Sequence, residues 1–412
     1  MRVSVNENTG YTNASNVLLY LFYLWTFVLI ARPQDFIDTL RHIRPALSIG
    51  IAVLILFSIH HSQYRSNVFS NRQCRLYQCL LMTMIISIPF ACYRRGAFEF
   101  FFTKYILTAI FFFLFYKIID DAKKISFVIG IACFGTSMYL MNALYSGEMV
   151  SGRLKFGDML DPNDMAFFAI SFLPFNLLFL SKENNAWKKL VSVINLVLGI
   201  MVILMTGSRG GIIALSIVLL MLLFARSQIM KLSYKIIIIV MTAVALIYGG
   251  SMIDLSRYKT IIDIGEDYNV WDETGRMEIW NRGIDLMLSS PLTGVGVSCF
   301  SEAIGQQRKE QGLQELWQSP HNSLIQIGAE TGILGLILFV LISYRAYRIY
   351  DKPNNSMTSD REIKISKLAK MSFSGHFVSS MFLSQAYSLY WVFFIALSAI
   401  LIRNGSNTRS SL

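Results

Sequence analysis

His321 stands in the stretch SPHNSLIQIGAETGILGLILF, where a polar threshold gives way to a long apolar run. It is one of five histidines in 412 residues. The spacing predicts a helix starting here, with Ser319 as N-cap and Pro320 at the first helical position. His321 would then face the positive end of the helix dipole, which favours the neutral imidazole. A neutral imidazole near pH 7 is what a general base needs. Arg209 lies in MTGSRGGII, a short turn between two apolar runs. Gly207, Gly210 and Gly211 allow tight backbone geometry there and leave the guanidinium uncovered. Arginine at membrane depth is costly and usually has a phosphate or carboxylate partner. Arg276 opens the segment RMEIWNRGIDLMLS. Two guanidinium groups can hold a diphosphate through bidentate, charge-assisted bonds, beside a base that activates a hydroxyl. Each residue also has a plainer reading: a capping histidine at headgroup level, a snorkelling arginine at a helix end, an interfacial arginine on lipid headgroups.

Supporting groups are fewer. Asp161 in DPNDMAFF is an expected N-cap, with Pro162 at the first helical position; it and Asp164 could also position a sugar or orient an arginine. Asn322 adjoins the histidine. Glu330 lies two to three turns further along the same helix, on the opposite face from His321, and needs a partner that the sequence does not name. His321, Gly328, Gly332 and Gly335 share one face of an ideal helix, a pattern that admits a close neighbour. Lys104 is an intramembrane cation expected to snorkel or pair with an acid. No carboxylate cluster has metal-site spacing and no GxxxxGK[ST] loop is present, so no metal or other cofactor is expected.

The elements that must position these residues are membrane helices. The chain is 54% hydrophobic and 15% charged, with a mean hydropathy of +0.49, where soluble domains carry about 25% charged residues. Twelve candidate spans follow: about 15–31, 46–60, 76–92, 98–116, 125–145, 163–180, 190–206, 211–225, 236–250, 321–344, 371–385 and 387–402. The expected fold is an all-α integral membrane protein: spans 1–9 within 1–250, a long outer loop over 251–320, and spans 10–12 within 321–412. Inside that loop a helix is predicted near 276–289, with Met277, Trp280, Ile284, Met287 and Leu288 as its apolar face. Arg276 should lean toward the protein or membrane and Arg282 toward solvent, on a helix that could lie along the interface like a lid.

The net charge of +11 reads as a topology signal rather than nucleic-acid binding. Connections such as KIIDDAKK, SKENNAWKK and RSQIMKLSYK all fall on one face, which the positive-inside rule makes cytoplasmic. The polar start leads into a full span, with no cleavable signal peptide evident. Cys74, Cys79, Cys92, Cys133 and Cys299 form no paired framework by spacing, so neither a disulfide nor a zinc role is expected.

TGSRGG, then GRMEIWNRGIDLMLSSPLTGVG, then SPHNSLIQIGAETGILGLILF resemble, in order and spacing, the signature of the O-antigen ligase and polymerase superfamily. The resemblance is specific over about 205–340, within a core of about 195–345; DPND is similar to exopolysaccharide-polymerase relatives. It implies a bacterial inner-membrane glycosyltransferase that takes glycan from undecaprenyl diphosphate on the periplasmic face, without metal or nucleotide sugar. Among membrane lipids, its partners would be that donor and a glycan acceptor, either a lipid-linked oligosaccharide or lipid A core. His321 would be the base, Arg209 and Arg276 would bind the diphosphate, and configuration would invert. DPND and the lack of an added soluble domain favour a polymerase over a ligase, and the latter disfavours a protein O-glycosyltransferase. A transporter or flippase is the more distant alternative, suggested by twelve spans with Lys104 and Glu330 as pathway markers, and opposed by the gathering of polar groups on one face.

Overall fold

The computed structural model describes residues 7–64, 66–157, 161–181, 183–225, 235–236, 239–240, 242–243, 275–351 and 359–410. The predicted ninth span falls mostly outside the described residues, as do positions 251–274 of the outer loop.

Helices begin where a short polar side chain can fold back onto its own backbone. After α1 (Glu7–Ala31), α2 (Asp38–Ile43) and α3 (Pro45–His60), Asn71 accepts from the N–H groups of Gln73 and Cys74 to start α4 (Arg72–Ser87). The short α5 (Arg94–Glu99) passes through a π-helical turn, Phe100–Tyr105, into α6 (Ile106–Ile118). Lys104 is exposed on that turn. Asp121 caps α7 (Ala122–Ser146), and Asp161 caps α8 (Pro162–Phe172) with Pro162 first, as its spacing predicts. Asn185 caps α9 (Ala186–Met205) and Ser208 caps α10 (Arg209–Leu223). The later helices are α11 (Arg276–Ser289), α12 (Phe300–Glu310), α13 (Ser323–Asp351), α14 (Asp360–Ser380) and α15 (Leu389–Ser410).

Six stretches among the described residues are long and apolar enough to cross a bilayer: Asn16–Asp35, Pro45–Gln63, Arg94–Ile118, Ala122–Ser146, Ala186–Met205 and Ser323–Asp351. The chain is a multi-pass membrane protein. Among the described residues, the other predicted spans are shorter, broken or too polar. Where 163–180 is predicted, α8 gives way at Leu173 to a 3-10 turn containing Pro174, and where 76–92 is predicted, α4 gives way to a 3-10 turn containing Pro89. Proline supplies no N–H to continue the α-helical ladder. The predicted 371–385 span is instead the end of α14, which starts at Asp360 and buries Ser366, Ser372, His376 and Ser379 in protein rather than facing lipid.

The bundle packs α1 against α3 and α7, and sets α13 among α4, α11, α14 and α15; α14 also packs on α8 and α10. Trp391 of α15 stacks on Phe339 of α13 at 4.6 Å and donates its indole N–H to Ser343 Oγ at 2.9 Å. Ile51, Ile55 and Ile59 of α3 and Leu334 and Ile337 of α13 remain exposed, a surface suited to lipid.

One expectation is corrected by the backbone of α13. Gly332 has φ 76° and ψ −178°, a conformation reserved for glycine, so α13 is two helical pieces meeting at a break. The single face of His321, Gly328, Gly332 and Gly335 therefore does not exist as drawn on an ideal wheel. The segment Pro291–Phe300 fills the break. Val295 N–H donates to Ala329 O (2.8 Å), Gly296 N–H to Glu330 O (3.1 Å), and Ile333 N–H to Pro291 O (2.8 Å). Glu330, 2% exposed, completes the junction: its carboxylate accepts from Ser298 N–H (2.8 Å), Phe300 N–H (3.3 Å) and Tyr387 Oη (2.6 Å). The partner absent from the sequence reading is thus a loop backbone and a tyrosine.

A methyl group on Gly332 would lie 2.6 Å from Pro291 O and 2.8 Å from the Leu292 carbonyl carbon. Gly332→Ala combines that clash with a forbidden backbone angle. It should destabilise the fold by roughly 3 kcal/mol or more. Thermal unfolding followed by size-exclusion fluorescence should show an unfolding midpoint well below that of the wild type, or no recoverable folded protein.

Candidate active site

Between α7 and α8 the chain departs from the all-α expectation. β1 (Glu148–Val150) and β2 (Arg153–Lys155) pair antiparallel, with Val150 opposite Arg153. Ser151 (φ 51°) and Gly152 (φ 69°) form the two-residue turn, the right geometry for a tight hairpin. The hairpin aims Arg153 inward. Its Nε donates to Thr206 O (2.8 Å) and its Nη2 to Asn163 Oδ1 (2.8 Å), joining β2 to the α9–α10 turn and to the start of α8.

At that turn Gly207 has φ 57°, which lets the chain reverse, and Ser208 Oγ accepts from Gly211 N–H at 3.2 Å. Arg209 is thereby the first residue of α10. Gly210 and Gly211 act differently from a cage around it: they pack α10 against Phe382 and against Ala166 of α8. Arg276 is likewise the first residue of its helix, after Gly275 as N-cap.

The mounting of His321 differs from the spacing-based expectation. α13 starts at Ser323, and its N-cap is Asn322, whose Oδ1 accepts from Leu324 N–H (2.9 Å) and Ile325 N–H (3.2 Å). Ser319 is not the cap. His321 precedes the helix with φ 46°, a left-handed conformation uncommon outside glycine, though tolerated by His better than by most residues. The surrounding hydrogen bonds fix that conformation. His321 N–H donates to Ser384 Oγ (3.0 Å), Trp280 Nε1 donates to Pro320 O (3.0 Å), and Ser301 Oγ donates to Gln318 O (3.1 Å). Burial of the imidazole, and then the Arg276 charge, hold its pKa below the ordinary histidine value, while Asp161 pulls the other way. The neutral form is favoured as expected, but for a different physical reason.

α11 spans the predicted residues, yet its buried face is Ile279, Gly283 and Leu286, packed against α13 and α12; Ile284 and Leu288 are exposed. Arg282 does not point freely to solvent. Its side chain is 11% exposed, bonded to Glu278 Oε1 at 2.8 Å and to Gln311 Oε1 at 3.2 Å. It braces α11 on α12.

His321, Arg209 and Arg276 line one cavity of about 500 Å³, together with Arg153, Asn163 and Ser208. Asp161, Asp164, Asn322 and Glu330 are not in its lining. Asp161 is close enough to influence the imidazole, whereas Asp164 Oδ1 accepts from Gln385 Nε2 at 2.8 Å, next to the Ser384 that holds His321. Residues at or beside the starts of α8, α10, α11 and α13 (Asn163, Arg209, Arg276 and His321) line this cavity. Its three guanidinium groups give it a charge suited to an anion. Arg153 escaped the sequence reading because hydropathy treats that region as a connection; the VSGR turn between short β-capable runs is the signal that could have found it.

A larger cavity, about 650 Å³, is lined by Lys123, Lys188, Arg361, Lys364 and Lys367. Helices α7, α9 and α14 begin there and end beside the histidine cavity, so helices of 20 to 25 residues separate the two, roughly 30 Å or more.

Residues 194–340 match the family model described as O-antigen ligase. Over this segment the chain is similar to that family. The matched segment runs from within α9 into α13 and contains Arg209, Arg276 and His321, whereas Arg153, Asn163 and Phe382 of the same cavity lie outside it. The chain is also similar to the exopolysaccharide production protein ExoQ of Rhizobium meliloti (strain 1021), with 31% identity over 135 residues. That likeness covers 29% of this chain and 26% of ExoQ, about a quarter of the relative's length.

Proposed function

We propose that this protein is a membrane glycosyltransferase that moves a glycan from undecaprenyl diphosphate to a sugar hydroxyl, as a polymerase of exopolysaccharide or O-antigen repeat units. The observation that carries the reading is the single cavity holding three arginines and a histidine kept neutral. Arg153, Arg209 and Arg276 bind the two phosphates. His321 takes the proton from the acceptor hydroxyl as its oxygen attacks the anomeric carbon. The bond from that carbon to the diphosphate oxygen breaks, and the guanidinium groups receive the charge that develops on the leaving diphosphate. Attack opposite the leaving group inverts the configuration. Asp161 lies near enough to favour the imidazolium that forms.

A bacterial inner-membrane location with the cavity on the periplasmic face, and twelve spans in all, belong to the same proposal. Sidedness is supported by the lysine-rich cavity at the other end of α7, α9 and α14, the end that the positive-inside rule makes cytoplasmic. The name of the exopolysaccharide relative favours a polymerase, and the description of the matched family keeps the ligase reading alive. Deleting the gene and sizing the cell's polysaccharide separates them. Single repeat units indicate a polymerase and long unattached glycan a ligase; an unchanged polysaccharide contradicts both.

The acid limb of the pH profile tests the base. Neutral imidazole is active, so kcat/KM falls as pH drops through the His321 pKa. Because that pKa is lowered, the limb should lie below the ordinary value of about 6.5. Arg276→Gln removes a nearby positive charge and should move the limb upward, whereas Arg276→Lys should leave it near the wild-type position, whatever each does to the maximal rate.

A further inference from the structure

The α4–α5 connection and the segment after Gly294 meet backbone to backbone. Cys92 N–H donates to Val295 O at 2.9 Å, Val297 N–H donates to Ser87 Oγ at 3.1 Å, and a methyl on Gly296 would fall 2.2 Å from Ala91 Cβ. At this junction two cysteines 207 residues apart come together, each thiol bonded to the backbone of the other's segment. The Cys92 thiol donates to Cys299 O at 3.7 Å, and the Cys299 thiol donates to Tyr93 O at 3.5 Å. These contacts place the two thiols side by side at the junction. Cys92 is exposed and Cys299 fully buried. The sequence spacing of the five cysteines concealed this pair.

We propose that Cys92 and Cys299 are a redox site that closes to an intramolecular disulfide on the outer face of the membrane. The inference rests on the outer-face placement proposed above, since thiols persist in a reducing cytoplasm and disulfides in an oxidising exterior. The exposed Cys92 thiolate attacks the disulfide of a dithiol-type protein oxidant, forming a mixed disulfide and releasing one thiolate, which takes a proton. Cys299 then loses its proton and attacks Cys92 Sγ, expelling the oxidant's second thiolate. Two thiols are oxidised and one disulfide is reduced to two thiols. The bond ties the α4–α5 connection to the segment whose N–H groups occupy the break in α13. Oxidation therefore fixes the mount of the His321 helix.

The test uses full-length protein in a Cys79→Ser background, so that the tryptic peptide from the end of α4 carries Cys92 alone. Membranes are collected with a thiol-blocking maleimide and no reductant, and the protein is alkylated on denaturation, digested and read by mass spectrometry. A Cys92 peptide joined to the Cys299 peptide, separating on reduction, is the expected result. Two separate alkylated peptides overturn the proposal. A parallel arm treats spheroplasts of Cys299→Ser with a membrane-impermeant maleimide. Labelling of Cys92 from outside, with unlinked thiols in the parent, leaves the outer-face placement standing and removes only the disulfide. Labelling only after permeabilisation removes the outer-face placement, and the disulfide with it. Reductant should also lower the melting temperature of the parent and leave that of Cys92→Ser unmoved.

Discussion

Replacing His321 by asparagine should lower turnover by about 10²–10⁴-fold, the usual contribution of a general base, while leaving the fold intact. Asparagine is the informative choice. The position has φ 46°, which asparagine accepts more readily than alanine, and the N–H bond to Ser384 does not involve the lost imidazole. The helix keeps its own cap in Asn322. A histidine serving only the helix end would therefore be replaced with little consequence. Turnover measured beside a melting curve separates the two: a loss under tenfold with normal melting removes His321 from the chemistry.

Arg209→Ala should reduce kcat/KM by about 10²–10³-fold, comparable to removing one preorganised donor to a developing oxyanion. The helix start survives this change, since the turn depends on Gly207 and the cap on Ser208. Arg209→Lys keeps the charge and loses the planar fork, so only part of the rate should return. Steady-state kinetics with a lipid-diphosphate glycan reads the effect. Equal activity in Arg209→Ala and wild type would place the diphosphate elsewhere.

The chemistry was more legible in the sequence than its support. His321, Arg209 and Arg276 stand out because polar residues at the edges of apolar runs need a reason, and all three line one cavity. Arg153 did not stand out, because its position depends on an eight-residue hairpin, Glu148–Lys155, that hydropathy cannot register. The break at Gly332 was hidden as well. An ideal helical wheel assumes an unbroken ladder, and only the docking of Pro291–Phe300 makes the interruption favourable. Glu330 was hidden for the same reason, since its partners are backbone N–H groups of another segment and a tyrosine; Arg282 was half legible, with Glu278 four residues before it on the same helix and Gln311, just past α12, beyond any local periodicity. The Cys92–Cys299 pair is the extreme case, 207 residues apart in sequence and adjacent in space.

The most direct measurement of the proposed chemistry follows purified protein in detergent with an undecaprenyl-diphosphate-linked oligosaccharide and a defined sugar acceptor, in the presence of a metal chelator. Free lipid diphosphate and new glycosidic bonds are counted in the same reaction. One lipid diphosphate released per bond formed, with inverted configuration and loss of both signals in His321→Asn, is the expected result. Donor that stays intact, or passes across a reconstituted bilayer without losing its glycan, contradicts the glycosyltransferase reading and points to transport.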